Sequence, residues 1–292
     1  MKKYYLATLT AVVFWSASFI ATSIAYITIA PLQLGMVRGI LPAFLFAVMR
    51  LFTKNRERPS KGDLPRVALS GLFGVTLYFT FQNIGVDMTT SSNAALITAS
   101  FPAMTLLLES LIDRVVPAAN KIAGIVIAMI GVGILTGATA EGSSNQALGN
   151  LCLLGAGLVW AVYSMLTRAV AQKYSAATVT TYQMLFGGIF FIPIALLEGK
   201  PWQLPTLSTA GAILFLCVGC SLLAYVLYNY GLQKISAGVA VSMVNLVPAL
   251  GLVFSFVILH EAISARQIIG GLIVVAGVTL SSVQFPKKRE RA

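Results

Sequence analysis

Charged side chains are scarce in this sequence: of its 292 residues, 10% are Asp, Glu, Lys or Arg, whereas 58% are hydrophobic. About a quarter of the residues of a typical soluble domain are charged. The scarcity excludes a water-soluble protein and leaves no room for a soluble catalytic or nucleic-acid-binding domain. The formal net charge of +11 therefore needs an explanation other than a nucleic acid partner, and we predict no such partner.

Residue combinations that build enzyme active sites are also lacking. The single histidine, His260, stands beside Glu261, and the sequence has no H-E-x-x-H motif, no paired aspartates within apolar runs and no histidine-supported serine nucleophile. No carboxylate occupies the middle of an apolar segment. We therefore predict that the protein is not an enzyme and that it holds neither a metal nor a cofactor.

Cysteine is rare too, and all three residues, Cys152, Cys217 and Cys220, lie inside apolar runs. Such positions exclude the disulfide framework of a small secreted protein. Cys217 and Cys220 spell C-x-x-C, but redox or zinc chemistry at that motif needs polar surroundings and deprotonated thiols. Packing as small apolar side chains is the favoured interpretation.

Long apolar runs are what the sequence does have. Each membrane-spanning helix needs about 20 largely apolar residues, so ten helices use roughly 200 positions and leave roughly 90 for loops and tails. A helix satisfies its own backbone hydrogen bonds in lipid, so these runs predict an all-α integral membrane protein. The ten predicted transmembrane helices cover residues 4–25, 32–52, 67–86, 92–112, 119–138, 148–168, 177–197, 209–232, 238–259 and 266–284.

Basic residues are distributed very unequally between the predicted loops. Lys200 and Arg266 fall on one side of the membrane, and Arg38 lies within a helix. An excess of Lys and Arg marks the cytoplasmic face, so both termini are predicted to be cytoplasmic in a plasma (inner) membrane. There the basic side chains orient the protein and contact lipid headgroups. The seventeen residues on that face are Lys2, Lys3, Arg50, Lys54, Arg56, Arg58, Lys61, Arg66, Arg114, Lys121, Arg168, Lys173, Lys234, Lys287, Lys288, Arg289 and Arg291.

The two halves of the sequence share residues at a nearly constant spacing. Trp15 in the first predicted helix is matched by Trp160 in the sixth. The predicted units, residues 4–138 and 148–284, precede a basic cytoplasmic tail, 285–292. Each unit has five helices, an odd number, so the second enters the membrane from the opposite side, giving the inverted-topology repeat that many transporters use. Further matches are Asn83, Gly85, Ala94 and Pro102-Ala103 with Asn229, Gly231, Ala240 and Pro248-Ala249, at a constant offset of 146 residues.

Several motifs resemble the EamA-type branch of the drug/metabolite transporter superfamily. They are the F-W-S-A-S-F segment at residues 14–19, Arg38 in the second predicted helix, the N-x-G stretches at Asn83 and Asn229, and the glycine-rich fifth and tenth helices. The resemblance covers nearly the whole chain and implies a multi-pass plasma-membrane permease, often an exporter of metabolites, amino acids or drugs. The family often has a glutamate after the fourth helix, whereas this sequence has Asp113-Arg114 there and Glu261 in the second unit.

Two tryptophans stand deep in their predicted helices. Trp15 and Trp160 lie about eleven and twelve residues into the first and sixth helices, which at about 1.5 Å per residue places both near the middle of the membrane. Tryptophan normally prefers the membrane interface. Both residues are therefore candidates to line a substrate cavity and offer ring faces to aromatic or cationic solutes, with helix packing as the alternative.

Polar residues at comparable depth are further candidates for binding the substrate. Such side chains either line a cavity or form hydrogen bonds between helices. Arg38 lies near the external end of the second helix, where it either attracts a substrate carboxylate or extends toward the interface. The other candidates are Tyr78, Gln82 and Asn83 on the third helix and Tyr225, Tyr228 and Asn229 on the eighth.

Two prolines stand near the centres of their predicted helices. Pro102 and Pro248 each remove a backbone donor and tend to kink the fourth and ninth helices, which predicts either hinges for alternating access or static bends. Glu109 lies near the cytoplasmic end of the fourth helix, where an interfacial position is favoured.

Together these features predict an alternating-access permease that exports a small metabolite, amino acid or drug-like solute. Without a carboxylate at mid-helix, facilitated or exchange transport is favoured, with coupling through Glu109 as the alternative. An aqueous channel is the main competing function, and a membrane sensor or assembly protein the next. Small residues in the fifth and tenth helices predict close packing or a dimer surface, so a monomer and a homodimer both remain open.

Overall fold

The helices of the protein follow the apolar runs of its sequence closely. The structure, a computed structural model, describes residues 1–52, 57–88, 97–136, 144–259 and 264–283, and these contain helices and no β-strand. In chain order the helices are α1 (Lys2–Ala25), α2 (Pro31–Phe52), α3 (Leu64–Met88), α4 (Phe101–Asp113), α5 (Ala119–Thr136), α6 (Ser144–Ala171), α7 (Ala176–Leu197), α8 (Leu207–Leu232), α9 (Ala237–Val244), α10 (Leu246–Leu259) and α11 (Ala265–Ser282).

Six of these helices, α1, α2, α3, α6, α7 and α8, are long and apolar enough to cross a membrane. This agrees with the predicted all-α membrane protein. Shorter apolar stretches occur in α5, across α9 and α10, and in α11. The start of the predicted fourth helix, residues 92–96, lies outside the described residues, as does the basic tail, 285–292.

Hydroxyl side chains begin several of the helices. Ser175, Thr206, Ser236 and Ser264 each accept a hydrogen bond from the backbone N–H three residues later. Such a cap satisfies an N–H group that has no partner within its helix and contributes about 1 kcal/mol. The polar residues between the apolar runs therefore set where α7, α8, α9 and α11 start.

Contacts between helix ends divide the bundle into two ends. The Lys3 ammonium lies 6.0 Å from the ring centroid of Tyr230, which brings the start of α1 to the end of α8. The Asp63 carboxylate, before α3, binds the Lys173 ammonium, between α6 and α7, at 2.8 Å. We call this the basic end. At the opposite end, the Glu198 carboxylate after α7 accepts hydrogen bonds from backbone N–H groups in the first turn of α2.

Glycine faces bring α5 and α11 into close contact. A Cβ atom on Gly131 would lie 2.6 Å from the backbone nitrogen of Val274, and one on Gly124 would lie 2.6 Å from the Gly277 carbonyl oxygen. The Asn120 side chain adds a hydrogen bond to the Val283 carbonyl at 2.8 Å, so α5 and α11 run antiparallel. The small-residue faces of both helices therefore pack against each other, as predicted; the choice between a monomer and a homodimer stays a prediction.

Interruptions precede the two predicted hinge prolines. A turn at Ala99 and Ser100 comes before α4, and Asn245 separates α9 from α10. The Asn245 side-chain amide donates to the carbonyl of Ala99, exactly one repeat offset of 146 residues away, at 3.3 Å. Pro102 and Pro248 follow within the first turns of α4 and α10, where the missing N–H is tolerated. Movement at these positions stays a prediction.

Candidate functional site

Six aromatic side chains from four helices meet in the core of the bundle. The ring centroids of contacting pairs lie 4.6–6.4 Å apart, mostly in tilted or edge-to-face arrangements. Such pairs contribute about 0.5–1.5 kcal/mol each beyond their buried area. We call this group the central aromatic cluster; its members are Trp15 on α1, Tyr78 on α3, Trp160 and Tyr163 on α6, and Tyr225 and Tyr228 on α8.

The cluster brings together five of the residues that the sequence singles out as binding candidates. Trp15 and Trp160 contact each other edge to face at 5.5 Å between centroids, and Tyr78 lies 4.6 Å from Trp160. Tyr225 and Tyr228 complete the group and are almost fully buried, whereas Trp15 and Tyr78 are half-buried. Both halves of the chain therefore supply rings to the same place.

Two π-helical segments position this cluster. Residues Leu72–Leu77 of α3 and Leu216–Leu223 of α8 are π-helical. The Ala224 N–H bonds the Gly219 carbonyl and leaves the Cys220 carbonyl to accept from the Trp15 indole N–H at 3.0 Å. π-Helical turns of this kind are frequent at functional sites.

The π-helical segment of α3 makes the corresponding contact to the other half. The Tyr78 N–H bonds the Phe73 carbonyl, and the Gly74 carbonyl accepts from the Tyr225 hydroxyl at 2.8 Å. Gly74 and Cys220 are separated by the same repeat offset as Ala99 and Asn245. Each half thus offers one backbone carbonyl to an aromatic side chain of the other half.

Trp160 is the exception among these polar contacts. Its side chain is only 4% exposed, and among the described residues its indole N–H makes no hydrogen bond. The Tyr228 hydroxyl lies near this N–H but does not accept a hydrogen bond from it. The two halves also differ by one hydroxyl here: Phe79 occupies the position that Tyr225 has in the second half. The Tyr225 hydroxyl binds the Gly74 carbonyl, which corresponds to the carbonyl that accepts from Trp15. An unmet buried N–H costs about 1–3 kcal/mol.

A polar network lies beside the cluster toward α7. Asn229 accepts a hydrogen bond from the Tyr163 hydroxyl and donates to Thr180 and to the Gln183 side-chain oxygen, each at 2.8 Å. The Gln183 amide nitrogen donates in turn to hydroxyls on α3 and α6. The side chain of Asn229 therefore forms hydrogen bonds between helices, and its predicted role in substrate binding stays a prediction.

Arg38 on α2 is a buried cation. Its side chain is 7% exposed, its Nε donates to the Ser221 hydroxyl at 3.1 Å, and its guanidinium carbon lies 4.3 Å from the ring centroid of Phe79. Ser221 belongs to the π-helical segment of α8. Arg38 therefore does not extend to the interface; it lies next to the segment that positions the cluster.

Two further binding candidates lie on α3 beyond Tyr78. Gln82 is half-buried. Asn83 is buried and donates its amide to the carbonyl of Pro31, at the start of α2, at 2.8 Å. Asn83 thus connects α3 to α2 at the opposite end and does not belong to the central aromatic cluster.

Glu109 is buried near the basic end. One oxygen accepts from Arg168 at 3.1 Å, and the other accepts from the Gly238 backbone N–H in the first turn of α9 at 3.1 Å. The exposed fraction of Glu109 is 7%, and the ion pair and the backbone N–H of α9 make this burial inside the protein tolerable. This contact joins α4 of the first half to α6 and α9 of the second. The expected position of Glu109 near the membrane interface stays a prediction.

An open pocket lies at each end of the bundle. The pocket at the basic end has a volume of about 660 Å³ and is lined by Arg168, Lys173, Tyr174, Gln233 and Lys234 among others. The pocket at the opposite end has a volume of about 270 Å³, and its lining includes Tyr26, Thr28, Asp87, Lys200 and Gln203. No member of the central aromatic cluster lines either pocket. The cluster therefore contributes to neither pocket; its members lie within the helices, between the two ends of the bundle.

One titratable group at the basic end has a lowered pKa, and one at the opposite end has a raised pKa. Hydrogen bonds from the Lys173 ammonium and the Tyr174 hydroxyl hold the pKa of Asp63 below its ordinary value. Burial raises the pKa of Tyr26, in the pocket of the opposite end, to about 12. At neutral pH the first group is a charged structural link and the second is a neutral phenol.

Three residues of this region were not anticipated from the sequence. Tyr163 lies one turn after Trp160, and that spacing is a signal that points to it. Gln183 could have been found as the counterpart of Arg38, because the two are 145 residues apart, the same spacing as Trp15 and Trp160. The pairing of Arg168 with Glu109 joins residues 59 positions apart, which no local pattern predicts.

Comparison with known proteins assigns the fold to a family. The EamA-like transporter family matches the chain twice, over residues 2–137 and 147–283. The chain belongs to the EamA-like transporter family. The resemblance to the drug/metabolite transporter superfamily is thereby confirmed, and the protein is a multi-pass membrane transporter.

Individual relatives of this EamA protein are transporters as well. An uncharacterized transporter of Archaeoglobus fulgidus is 30% identical over 97% of this chain and 98% of its own length. A probable terminal-alkyne amino-acid exporter of Streptantibioticus cattleyicolor is 28% identical over 81% of this chain and 79% of its own length. A protein crystal structure with 20% identity shares the fold, with a TM-score of 0.80 over 97% of both chains.

Proposed function

We propose that this EamA protein is an alternating-access carrier that exports a small metabolite, amino acid or drug-like solute across the plasma membrane. The observation that carries the proposal is the central aromatic cluster, in which rings from both halves meet between the two ends of the bundle. A carrier needs one central site that each half helps to build and that opens to one side at a time.

The directions of the helices support an inverted repeat of ten membrane helices. α1 starts at the basic end, where Lys3 meets Tyr230, whereas α6 ends there, just before Lys173. Corresponding helices of the two halves therefore run in opposite directions. In this arrangement α9 and α10 form the ninth spanning helix around Asn245, and α4 belongs to the fourth.

The distribution of charge supports an orientation with both termini in the cytoplasm. Apart from Arg38, the described basic residues at the opposite end are Lys200 and Arg266, and an excess of Lys and Arg faces the cytoplasm. The basic end is therefore the cytoplasmic one in this proposal. Its described basic residues are Lys2, Lys3, Arg50, Arg58, Lys61, Arg66, Arg114, Lys121, Arg168, Lys173 and Lys234.

The chemistry of the cluster favours a modestly sized solute with an aromatic or amphiphilic part. Ring faces and edges offer apolar surface, and the Trp160 N–H offers one hydrogen-bond donor without an internal partner. Among the described residues no carboxylate belongs to the cluster, which favours facilitated or exchange transport over proton coupling at this point. An exporter of amino acids among the relatives favours a solute of that size and an outward direction.

The packing of the cluster favours a carrier over an aqueous channel. Four rings of the cluster are each at most 4% exposed and contact one another in the core of the bundle, where a pore would pass. They are those of Trp160, Tyr163, Tyr225 and Tyr228. A continuous water-filled route would need those rings apart. Saturable flux that is stimulated by solute on the far side distinguishes a carrier from a pore.

The proposal is tested by comparing metabolites inside and outside cells that express the parent protein, Trp160→Ala or Trp202→Ala. Trp202 is exposed outside the helices and serves as the matched control. We expect at least one small solute to accumulate outside cells with the parent and with Trp202→Ala, and far less with Trp160→Ala at equal protein abundance in the membrane. Equal efflux in all three strains, or none in any, would contradict the proposal.

A further inference from the structure

Arg38 is the one fully charged base that the structure places inside the bundle. It is the only buried Lys or Arg among the described residues, with 7% of its surface exposed. Its position is set by α2, close to the π-helical segment of α8 and to the face of Phe79. Arginine remains protonated at any physiological pH, so this position carries a permanent positive charge.

None of the carboxylates that the structure describes forms an ion pair with Arg38. Its direct contacts are with neutral groups, the Ser221 hydroxyl and the Phe79 ring, and its charge also acts on the Tyr78 and Tyr225 side chains. A buried charge without a counter-charge is costly, and in membrane proteins such groups mark sites for ions and substrates.

The second half of the chain has a neutral residue at the corresponding position. With the offset that relates Trp15 to Trp160, Arg38 corresponds to Gln183 on α7. Gln183 is fully buried, and its amide makes hydrogen bonds to Ser70, Thr167 and Asn229. In the second half, a neutral amide whose hydrogen bonds are satisfied is thus enough for the helices to pack at this position. Helix packing therefore does not explain why the first half has a charged residue there.

We propose that the transported solute carries a single carboxylate, that this group pairs with Arg38, and that the apolar part of the solute lies against Tyr78 and Trp160. This inference rests on the proposed function and names the chemical class of its substrate. The guanidinium plane matches a carboxylate with two parallel N–H···O bonds. The unpartnered Trp160 N–H is the second donor, available to an oxygen elsewhere on the solute.

A carboxylate fits this site better than a phosphate. A phosphate monoester carries about 1.5–2 negative charges at neutral pH, whereas one buried arginine balances one. The rings around Arg38 favour a solute whose remaining surface is apolar, such as an aromatic or aliphatic acid.

The test measures thermal unfolding of the purified full-length protein in detergent with pairs of probes that differ only in charge. The pairs are L-phenylalanine with L-phenylalaninamide and hexanoate with hexanamide. We expect at least one acid to raise the midpoint by about 2 °C or more at saturation, a shift typical of ligand linkage in a protein of this size, and its amide to leave the midpoint unchanged.

Variants at Arg38 separate binding from folding. Arg38→Gln should lose the response to the acid without unfolding at a lower temperature than the parent, because it removes an unpaired buried charge. Arg38→Lys keeps the charge but not the two parallel bonds and should keep part of the response. Arg66→Gln, which removes an exposed arginine at the basic end, is the matched control and should respond as the parent does.

Stabilisation by amides as well as acids, by neither acid, or by acids in Arg38→Gln would overturn the inference. If Arg38→Gln fails to fold, the thermal shifts of the parent and of Arg38→Lys with the acid–amide pairs still test whether Arg38 binds the carboxylate. Flux of the same probes into proteoliposomes separates the two claims: transport of neutral solutes alone refutes the carboxylate and keeps the carrier, whereas acid binding without any flux refutes the carrier.

Discussion

The indole N–H groups of Trp15 and Trp160 differ although the two residues occupy matching positions. Trp15 donates to the Cys220 carbonyl, and Trp160 has no acceptor among the described residues. The difference is accompanied by one extra hydroxyl, since Tyr225 stands where the first half has Phe79 and binds the Gly74 carbonyl. The two halves thus differ in one hydrogen bond at matching positions.

Phenylalanine substitutions test that asymmetry. Trp15→Phe and Trp160→Phe remove similar volume, so the difference between them reports on the N–H. We expect Trp15→Phe to be less stable than Trp160→Phe by about 1–3 kcal/mol, because it loses a hydrogen bond and leaves a carbonyl unpaired, whereas Trp160→Phe removes a group that was already unpaired. Thermal unfolding of both purified variants measures this, and equal midpoints would refute the asymmetry.

Residue depth and type were enough to find most of the cluster in the sequence, but not what each residue does. Five aromatic residues found in this way contact one another in the structure: Trp15, Tyr78, Trp160, Tyr225 and Tyr228. Asn83 and Asn229 are the same residue type at matching positions, yet they bind different partners. The Asn83 amide binds the Pro31 carbonyl, whereas the Asn229 amide binds the polar network on α7. Partners of a polar side chain depend on which helices pack together, and composition does not encode that.

At the scale of helices, the close contact of α5 with α11 depends on glycine. Gly277→Ala places a methyl group against the backbone of Ala128, whereas Gly211→Ala on α8 meets open space. We expect Gly277→Ala to destabilise the protein by about 1–3 kcal/mol through overpacking, and Gly211→Ala to stabilise it by about 0.5–1 kcal/mol through helix propensity. Unfolding midpoints check both, and tolerance of Gly277→Ala would show that the two helices can separate at little cost.

The Glu109 carboxylate joins α4 to α6 and α9 at the basic end. Glu109→Gln leaves Arg168 without its buried partner, and a loss of about 1–3 kcal/mol is expected, since Arg168 is partly exposed and solvent reduces the full cost of a broken buried pair. Hydrogen exchange at the start of α9 should accelerate, because the Gly238 N–H loses a charged acceptor.

Asp113→Asn is the control for Glu109→Gln. Asp113 lies 3.8 Å from Arg168 but its side chain is 46% exposed, and exposed pairs contribute about 0–1 kcal/mol. Exchange at the start of α9 that is faster in Asp113→Asn, or unchanged in Glu109→Gln, would count against the role of Glu109 in joining α4 to α6 and α9.

The Asp63 link at the basic end has a pH dependence whose sign is defined. Its pKa is lowered in the folded protein, so its stabilising contribution is present above its ordinary pKa of 3.8 and is lost as the pH falls through the folded value. We expect Asp63→Asn to lower the unfolding midpoint at pH 7 and to approach the parent as the pH falls below about 3.8. Asp87→Asn, at the exposed end of α3, should show no such convergence, and a constant gap between Asp63→Asn and parent would refute the link.

Helix positions could be predicted from the sequence because apolar length and polar caps determine them; α2 and α7 begin within one residue of their predicted starts. The π-helical segments and the interruption at Asn245 could not be predicted in the same way. They depend on carbonyls and amides that find partners on distant helices, such as Trp15 with Cys220 and Asn245 with Ala99. Tertiary contacts stabilise these departures from regular helix.

For the whole molecule, the account depends on two halves that move against each other around the central aromatic cluster. In the described structure the rings of the cluster contact one another between the two ends of the bundle. If the halves rock about the contact between Ala99 and Asn245, opening one end must close the other. Two rigid ends, or ends that open together, belong to a different kind of protein.

Paired spin labels on the full-length protein in lipid nanodiscs measure this directly. One pair replaces Thr28 and Gln203 across the opposite end, and the other replaces Val116 and Lys234 across the basic end, with one label of each pair in each half. The account predicts two populations of distances whose proportions change in opposite directions at the two ends when a transported solute is added. Distances that stay fixed at both ends, or that increase at both ends together, would contradict it.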